Sequence, residues 1–355
     1  MLPDRAALQP RFAALAAGVM LLIVYGSLFP FQFQSCGGSL LSTSAAPANR
    51  GDLLSNILLY MPLGFFATKA LRNSRTAVLL ATLAGAALSF AMESLQICDA
   101  GRVPSMADVY ANAGGALLGS LLAVACGSNF GAAALLALCW IGSRTLPYVP
   151  SLRPEKYRSA IRTLLFAPPP IEVFHYFARW LAAAAAFEAL RPRWGLIIAI
   201  GAVIVARIIV LDLSIVPAEI LGATLALIAW NFMRRTHAAA LAAVVVVGLY
   251  VIVNALQPFH FLAHPRRFTW TPFLSFMRDS RENASRVFLE KSFMYGSLVW
   301  LAARAGLSFR LATILAAALV FALRLTQIYL PGRSAEVTDP LMVLLAAVTI
   351  RALGE

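Results

Sequence analysis

The sequence predicts an all-α, polytopic integral membrane protein with about twelve transmembrane helices arranged in three repeats of four. Of its 355 residues, 60% are hydrophobic and 13% are charged, and the mean hydropathy is +0.78. A soluble domain has roughly 45–50% apolar and about 25% charged residues, so this chain is too apolar to be one. Long apolar runs follow one another along the chain, and landmarks within them recur.

Twelve helices are predicted from the apolar runs and from the polar, glycine-containing or proline-containing segments that separate them. The first run follows Arg5 and Arg11 but is not followed by a small-residue cleavage site, so we interpret it as a retained span rather than a signal peptide. The predicted spans are residues 12–29, 53–70, 76–97, 107–126, 130–147, 173–190, 194–212, 215–233, 238–257, 286–304, 309–329 and 337–353.

Two recurring patterns divide the chain into units. A helix ends before a proline and an aromatic loop at Pro30, Pro147 and Pro258. The stretch QICDAGRVPSMAD, which begins at Gln96, has a counterpart 231 residues later in QIYLPGRSAEVTD, with Gln, Ile, Gly, Arg and Asp at the same offsets. We therefore predict a first four-helix unit at residues 1–128, a degenerate second unit at 129–235 and a diverged third unit at 236–355.

The charges predict an orientation. Lys and Arg in short loops favour the cytoplasmic side, and the short basic turns all fall on one side if the spans alternate. Both termini are then cytoplasmic, and the long loops after the prolines face outward. Two of these outer loops are also basic; they carry Arg153, Lys156, Arg158 and Arg162, and Arg266, Arg267, Arg278, Arg281, Arg286 and Lys291.

The net charge of +13, from 29 Lys+Arg and 16 Asp+Glu, lies in short segments between apolar runs. This distribution does not indicate a nucleic-acid partner, which needs a continuous basic face. We expect membrane lipids, and lipid-linked glycan or glycopeptide, as partners instead.

Polar residues collect at the predicted outer mouth of the hairpin between the third and fourth spans. Glu93 and Gln96 share one helix face, Arg102 lies in the hairpin, and Asp108 lies at the start of the next helix. Glu93 and Asp108 are candidates for a catalytic general base. The candidate ligand-binding residues are Asn56, Gln96, Arg102, Ser105, Asn112, Arg324, Gln327, Arg333 and Asp339.

Each of these positions also has a structural alternative. Ser105 and Asp108 fit a capping box, and Asp339 before Pro340 fits an N-cap with proline at the first helical position. Glu93 lies late in its span, where a side chain can reach the interface, while Arg102 and Arg333 can line loops.

Two further features concern packing and redox state. Gly115 and Gly119 have the four-residue spacing that lets membrane helices approach closely. Cys36 and Cys98 both fall near the predicted outer face of the first unit, where an oxidising compartment would allow a disulfide. No HExxH, CxxC, GxSxG or phosphate-binding glycine loop is present in the sequence. We predict no metal site and no cofactor.

The first unit resembles the VanZ-like family of bacterial membrane proteins. The matching segments are YGSLFPF, DLLSNILLYMPLGFF from Asp52, ESLQ from Glu93 and GRVPSMADVYANAGGALLG from Gly101. The resemblance is best over residues 20–126; residues 250–355 are similar to a diverged second match, and 130–235 to a degenerate one.

The resemblance implies a multi-pass protein of the bacterial cytoplasmic (inner) membrane that acts at the cell envelope. The founding member of the family is linked to low-level resistance to the glycopeptide antibiotic teicoplanin, without an established reaction. The family's polar positions correspond here to Asp52, Asn56, Glu93, Gln96, Arg102, Ser105, Asp108 and Asn112.

Three functions are compatible with these features. The first is binding of a polar or anionic envelope component, with Arg102 and Arg333 as donors to phosphate or carboxylate. The second is a membrane-embedded hydrolase or transferase that acts on a polyprenyl-linked substrate, with Arg102 stabilising negative charge. The third is a secondary transporter, since repeats and intramembrane charges also occur in carriers.

Overall fold

The structure is a computed structural model that describes residues 8–36, 50–72, 74–99, 102–127, 130–146, 167–190, 195–210 and 216–354. In this part of the chain it is helical, without strands, and has only isolated bridges such as Phe33 with Asp99. The basic loop residues Arg153, Lys156, Arg158 and Arg162 lie outside the described residues. The chain divides into two compact units, Met1–Phe130 and Gly131–Glu355.

The first unit contains four helices. They are α1 (Pro10–Leu28), α2 (Arg50–Ala70), α3 (Arg75–Gln96) and α4 (Met106–Cys126).

Nine helices of the second unit are described. They are α5 (Ala132–Thr145), α6 (Pro170–Ala189), α7 (Gly195–Ile209), α8 (Pro217–Met233), α9 (Ala239–Leu256), the short α10 (Leu274–Arg278), α11 (Arg281–Arg304), α12 (Phe309–Thr326) and α13 (Thr338–Ala352).

All twelve predicted segments are helical, with modest differences at their ends. The tenth was predicted to begin at residue 286, but α11 begins at Arg281 because the Ser280 side chain caps it, accepting from the Asn283 backbone N–H. The eleventh ends as α12 at Thr326 and continues as a 3₁₀ turn over Gln327–Tyr329. The sequence analysis did not predict α10.

Among the described residues, six helices are long and apolar enough to cross a membrane by length and composition: α1, α2, α3, α4, α9 and α12. Several of their large apolar side chains, including Leu79, Leu83 and Phe90 of α3, are exposed on the protein surface. Contact with lipid explains this exposure, since lipid tails are as apolar as these side chains.

Three glycines let α2 and α4 pack backbone against backbone. A Cβ atom on Gly115 would lie 2.3 Å from the carbonyl oxygen of Ile57, and one on Gly119 would lie 1.9 Å from that of Met61. From the other helix, a Cβ on Gly64 would lie 1.9 Å from the carbonyl oxygen of Ala116. The predicted close-packing role of Gly115 and Gly119 is confirmed.

The second unit has a larger core built on α6 and α11. A run from Trp180 to Phe187 on α6 is buried at every position, as is the run from Phe293 to Ala302 on α11. Both helices are surrounded by neighbours on all sides over these runs, as expected for the centre of a bundle. The ring of Trp140 on α5 meets that of Trp180 edge-on at 4.7 Å.

We expect Gly119→Ala to lower the free energy of unfolding by about 1–3 kcal/mol, because the added methyl group forces α2 and α4 apart. Gly114→Ala is the matched control, since nothing lies within 4 Å of a Cβ there. The control should gain up to about 1 kcal/mol from helix propensity. Thermal unfolding of the purified protein in detergent measures both, and equal shifts for the two variants would contradict the packing role.

Candidate functional site

The polar cluster of the first unit is organised by Glu93 near the end of α3. Its side chain is buried, and Oε2 accepts a 2.8 Å hydrogen bond from the backbone N–H of Ser105. Ser105 is the N-cap of α4, and its hydroxyl accepts from the N–H of Ala107 at 3.2 Å. The Glu93 carboxylate therefore fastens the end of α3 to the start of α4.

A second layer of polar contacts lies one or two turns further into the helices. Asn112 of α4 donates through Nδ2 to the hydroxyl of Ser89 on α3 at 2.8 Å. Tyr60 of α2 is buried as well, and so is Asn56, one turn earlier on the same helix. Three helices thus contribute polar side chains to the interior of this unit. Ser89 and Tyr60 were not among the predicted site residues.

Gln96 and Arg102 contact the end of α1. Gln96 donates through Nε2 to the carbonyl oxygen of Ser27 at 2.8 Å. One terminal nitrogen of Arg102 donates to the carbonyl oxygens of Gly26, at 3.1 Å, and Phe29, at 2.7 Å. The last carbonyls of a helix have no partner within the helix, and these two side chains supply donors for them.

A disulfide closes the same region. Cys36, which follows α1, is bonded to Cys98 in the α3–α4 hairpin and closes a loop with a sequence separation of 62. The backbone N–H of Gln34 also donates to the carbonyl oxygen of Cys98 at 2.8 Å. Cys126 and Cys139 are free. The loop after α1 and the hairpin are therefore joined covalently and by hydrogen bonds.

Asp99, beside this disulfide, was missed by the sequence analysis. Its side chain is 4% exposed, and neither carboxylate oxygen has a hydrogen-bond partner among the described residues. Oδ1 of Asn112 is another buried acceptor of this kind in the unit. A buried carboxylate without donors is costly. Only its proximity to Arg102 and Cys98 in sequence could have drawn attention to it.

Asp108, the other candidate base, lies in the first turn of α4 and is partly exposed. Its backbone N–H donates to the carbonyl oxygen of Ser105 at 3.1 Å. The structure therefore brings Glu93, Ser105 and Asp108 to one end of the α3–α4 hairpin, with Gln96 and Arg102 directed to α1. Asn56 and Asn112 lie deeper in the unit.

In the second unit the charged centre is Asp339, in the first turn of α13. It is fully buried and accepts from Lys291 Nζ at 2.8 Å, from the hydroxyl of Tyr295 and from the guanidinium of Arg324. Arg324 also donates to the side-chain oxygen of Gln327 at 2.5 Å. Asp339 is not the N-cap, because α13 begins at Thr338 and Val337 occupies that position. Lys291 and Tyr295 were not predicted as site residues.

Gln327 and Arg333 repeat the contacts of Gln96 and Arg102. Gln327 donates to the carbonyl oxygen of Ala255 at 2.8 Å, and Arg333 donates through Nε to that of Gln257 at 2.8 Å. Both acceptors lie at the end of α9, at positions that correspond to Ser27 and Phe29 when Pro30 is aligned with Pro258. Burial, and to a smaller extent the charge of Arg324, lowers the pKa of Arg333. Arg333 remains charged at neutral pH because the ordinary pKa of arginine lies far above 7.

One arginine of the second unit has no counterpart in the first. Arg266, in the loop after α9, donates through one terminal nitrogen to the carbonyl oxygens of Gln327, Leu330 and Arg333. It holds the turn after α12 in place, where the first unit has its disulfide. No group of three or more His, Cys, Asp or Glu side chains that could hold a metal ion occurs among the described residues.

We expect Cys126 and Cys139 to be alkylated as soon as the protein is unfolded. Cys36 and Cys98 should be alkylated only after a reductant is added to the unfolded protein. Closing a loop of this length stabilises a protein by about 4 kcal/mol in the chain-entropy picture. Cys36→Ser should therefore lower the unfolding temperature, and Cys126→Ser is the matched control. Immediate alkylation of Cys36 or Cys98 in mass spectra would contradict the disulfide.

We expect Asp339→Asn to lower the free energy of unfolding by about 3–5 kcal/mol, because it leaves Lys291 and Arg324 buried without their carboxylate. The double variant Asp339→Asn/Lys291→Met restores the charge balance and should recover part of this loss. Thermal unfolding in detergent measures both. A double variant less stable than Asp339→Asn alone would contradict the proposed pairing.

The comparison with known proteins bears on the first unit. The model of the VanZ/LLP1 family matches residues 12–127, which include the Glu93 cluster and both disulfide cysteines. No curated protein and no solved structure matches the chain. The family prediction for the first unit is confirmed, and residues 12–127 are a VanZ/LLP1 region.

Proposed function

We propose that the protein acts at the cell envelope of a bacterium by binding a lipid-linked glycan or a glycopeptide at the α3–α4 hairpin of its VanZ/LLP1 region. The observation that carries the proposal is the presence of buried acceptors without donors. Both carboxylate oxygens of Asp99 and Oδ1 of Asn112 are in this state among the described residues. Buried polar atoms in folded proteins nearly always have a partner, so a ligand that supplies donors is favoured.

The chemistry of these atoms restricts the ligand. An ionised carboxylate and an amide oxygen only accept hydrogen bonds, so the ligand must offer O–H or N–H groups. Sugar hydroxyls and peptide amides provide them, and glycans and glycopeptides are rich in both. The resistance to teicoplanin-type glycopeptides that the family resemblance implies is compatible with such a ligand.

In this proposal several predicted site residues position the hairpin rather than react. Glu93 uses its carboxylate to hold the N–H of Ser105, and Arg102 uses one terminal nitrogen on the end of α1. A general base needs a carboxylate within reach of substrate, whereas that of Glu93 is buried and already engaged. The remaining guanidinium atoms of Arg102 stay candidates for contact with a phosphate or carboxylate of this ligand. Those of Arg333, in the second unit, stay candidates for a separate contact of the same kind.

We also propose that the twelve helices other than the short α10 are twelve spans in three repeats, with both termini in the cytoplasm and the hairpins outside the inner membrane. Two observations support this proposal. Gln96 and Arg102 make the same contacts with the end of α1 as Gln327 and Arg333 make with the end of α9. A disulfide between Cys36 and Cys98 also suits an outer side that is oxidising.

We expect Asp99→Leu to weaken binding of a lipid-linked disaccharide-pentapeptide at least about tenfold, because a charge-assisted hydrogen bond contributes about 1.5–3 kcal/mol. The chain supplies evidence that leucine fits, since the corresponding Leu330 is fully buried and its N–H donates to Gln327 as that of Asp99 does to Gln96. Binding is measured with full-length protein in nanodiscs.

Glu188→Gln, which removes an exposed carboxylate of α6, is the control for loss of one negative charge, and Asp99→Asn separates the effect of charge from that of shape. Unchanged affinity in Asp99→Leu, with an unchanged unfolding temperature, would sink the proposal. Release of a product from the lipid-linked probe by wild-type protein would point instead to the hydrolase or transferase alternative.

A further inference from the structure

The second unit contains a further group of charged side chains, which is centred on arginines rather than on Asp339. Arg144 at the end of α5 and Arg207 near the end of α7 both pair with Glu219 at the start of α8, at 2.6 Å and 3.1 Å. All three side chains are largely buried, with exposed fractions of 8%, 13% and 8%. One carboxylate therefore faces two guanidinium groups.

The group continues through an aromatic ring to a second ion pair. Tyr176 of α6 lies beneath the guanidinium of Arg144, at 5.0 Å, and near that of Arg179, at 5.7 Å. Arg179 in turn pairs with Glu290 of α11 at 2.6 Å and donates to the hydroxyl of Tyr250 at 2.8 Å.

Arg286 closes the group on its exposed side. It lies 3.9 Å from Glu290, one turn away on α11, and about half of its side chain is exposed. Arg286 also lines a cavity of about 260 Å³ together with Leu146, Ser280, Glu282 and Asn283. Leu146 is two residues beyond Arg144, so the cavity adjoins the outer end of the group. We refer to Arg144, Arg179, Arg207 and Arg286 as the arginine cluster.

The charges of the cluster do not balance among the described residues. Four guanidinium groups pair with two carboxylates, those of Glu219 and Glu290, and a third carboxylate, that of Glu282, lines the same cavity as Arg286. Two of the buried donors, Nε of Arg144 and Nε of Arg207, have no hydrogen-bond partner in this part of the chain. Charged groups within a membrane bundle usually pair with one another, so the surplus of positive charge and the two unused donors indicate a missing anion.

We propose that the arginine cluster is a binding site for a phosphate or diphosphate group, presented on a lipid or free in solution. Guanidinium groups bind such groups through paired N–H donors, and a bound anion neutralises the surplus positive charge. The site lies in the second unit and uses none of the residues proposed to bind glycan. It deepens the proposed function, on which it rests for the class of ligand, because a lipid-linked glycan carries a phosphate as well as sugars.

The test uses full-length protein in non-ionic detergent with two probes, inorganic diphosphate and farnesyl diphosphate. We expect wild-type protein to bind at least one of them, and Arg286→Gln and Arg207→Gln each to weaken that binding about tenfold or more, as loss of a charge-assisted contact predicts. Arg286 is exposed, and in Arg207→Gln the carboxylate of Glu219 keeps Arg144, so both variants should fold.

Two further variants separate binding from folding and from bulk charge. Glu219→Gln removes a carboxylate that competes with the probe for the arginines. We therefore expect the probe to raise the unfolding temperature of this variant more than that of the wild-type protein. An ion pair with a purely structural role would not produce this difference. Arg310→Gln removes one positive charge at the start of α12, a helix that contributes no residue to the arginine cluster, and should leave binding unchanged.

The two probes distinguish the source of the anion. Tighter binding of farnesyl diphosphate indicates a lipid, and equal binding indicates a free anion. No binding of either probe, or binding that Arg286→Gln and Arg207→Gln leave intact, overturns the arginine-cluster site. The glycan proposal is judged separately by Asp99→Leu, which should bind both diphosphate probes as wild type does.

Discussion

The open carbonyl groups at the end of α1 are the constraint on which the first unit depends. In its last turn, those of Tyr25 and Leu28 are taken by backbone N–H groups of the following loop, and those of Gly26 and Ser27 by Arg102 and Gln96. A buried helix end needs such partners. Meeting this need brings the α3–α4 hairpin to the end of α1, next to the disulfide.

The same need is met at the end of α9, but the charges around it differ. Where the first unit has Glu93 on α3, the second has Arg324 on α12 at the corresponding place in the repeated stretch. The carboxylate of Glu93 is held by a backbone N–H, whereas Arg324 requires the buried carboxylate of Asp339. A charge of either sign is tolerated because each has its own partner, as charges in apolar bundles usually do.

The sequence was sufficient to predict the helices, because apolar runs separated by glycine, proline and charged turns leave few alternatives. It also predicted the close packing at Gly115 and Gly119 and identified Cys36 and Cys98 as possible partners. It did not reveal Asp99, because an aspartate in a turn is usually exposed. The burial of Asp99 depends on the loop after α1, which the disulfide holds over this residue. Lys291 and Tyr295 were missed for a similar reason: they reach Asp339 from a helix that is distant in sequence.

The two units leave different kinds of hydrogen-bonding groups without partners. Taken together, these groups restrict the chemical class of the ligand more than those of either unit alone. In the described part of the first unit, Asp99 and Asn112 retain unused acceptors; in that of the second, Arg144 and Arg207 retain unused donors within a surplus of positive charge. Acceptors favour hydroxyl or amide groups, and cationic donors favour phosphate. A lipid-linked glycan carries sugar hydroxyl groups and a phosphate, so it offers groups that suit each of the two sites.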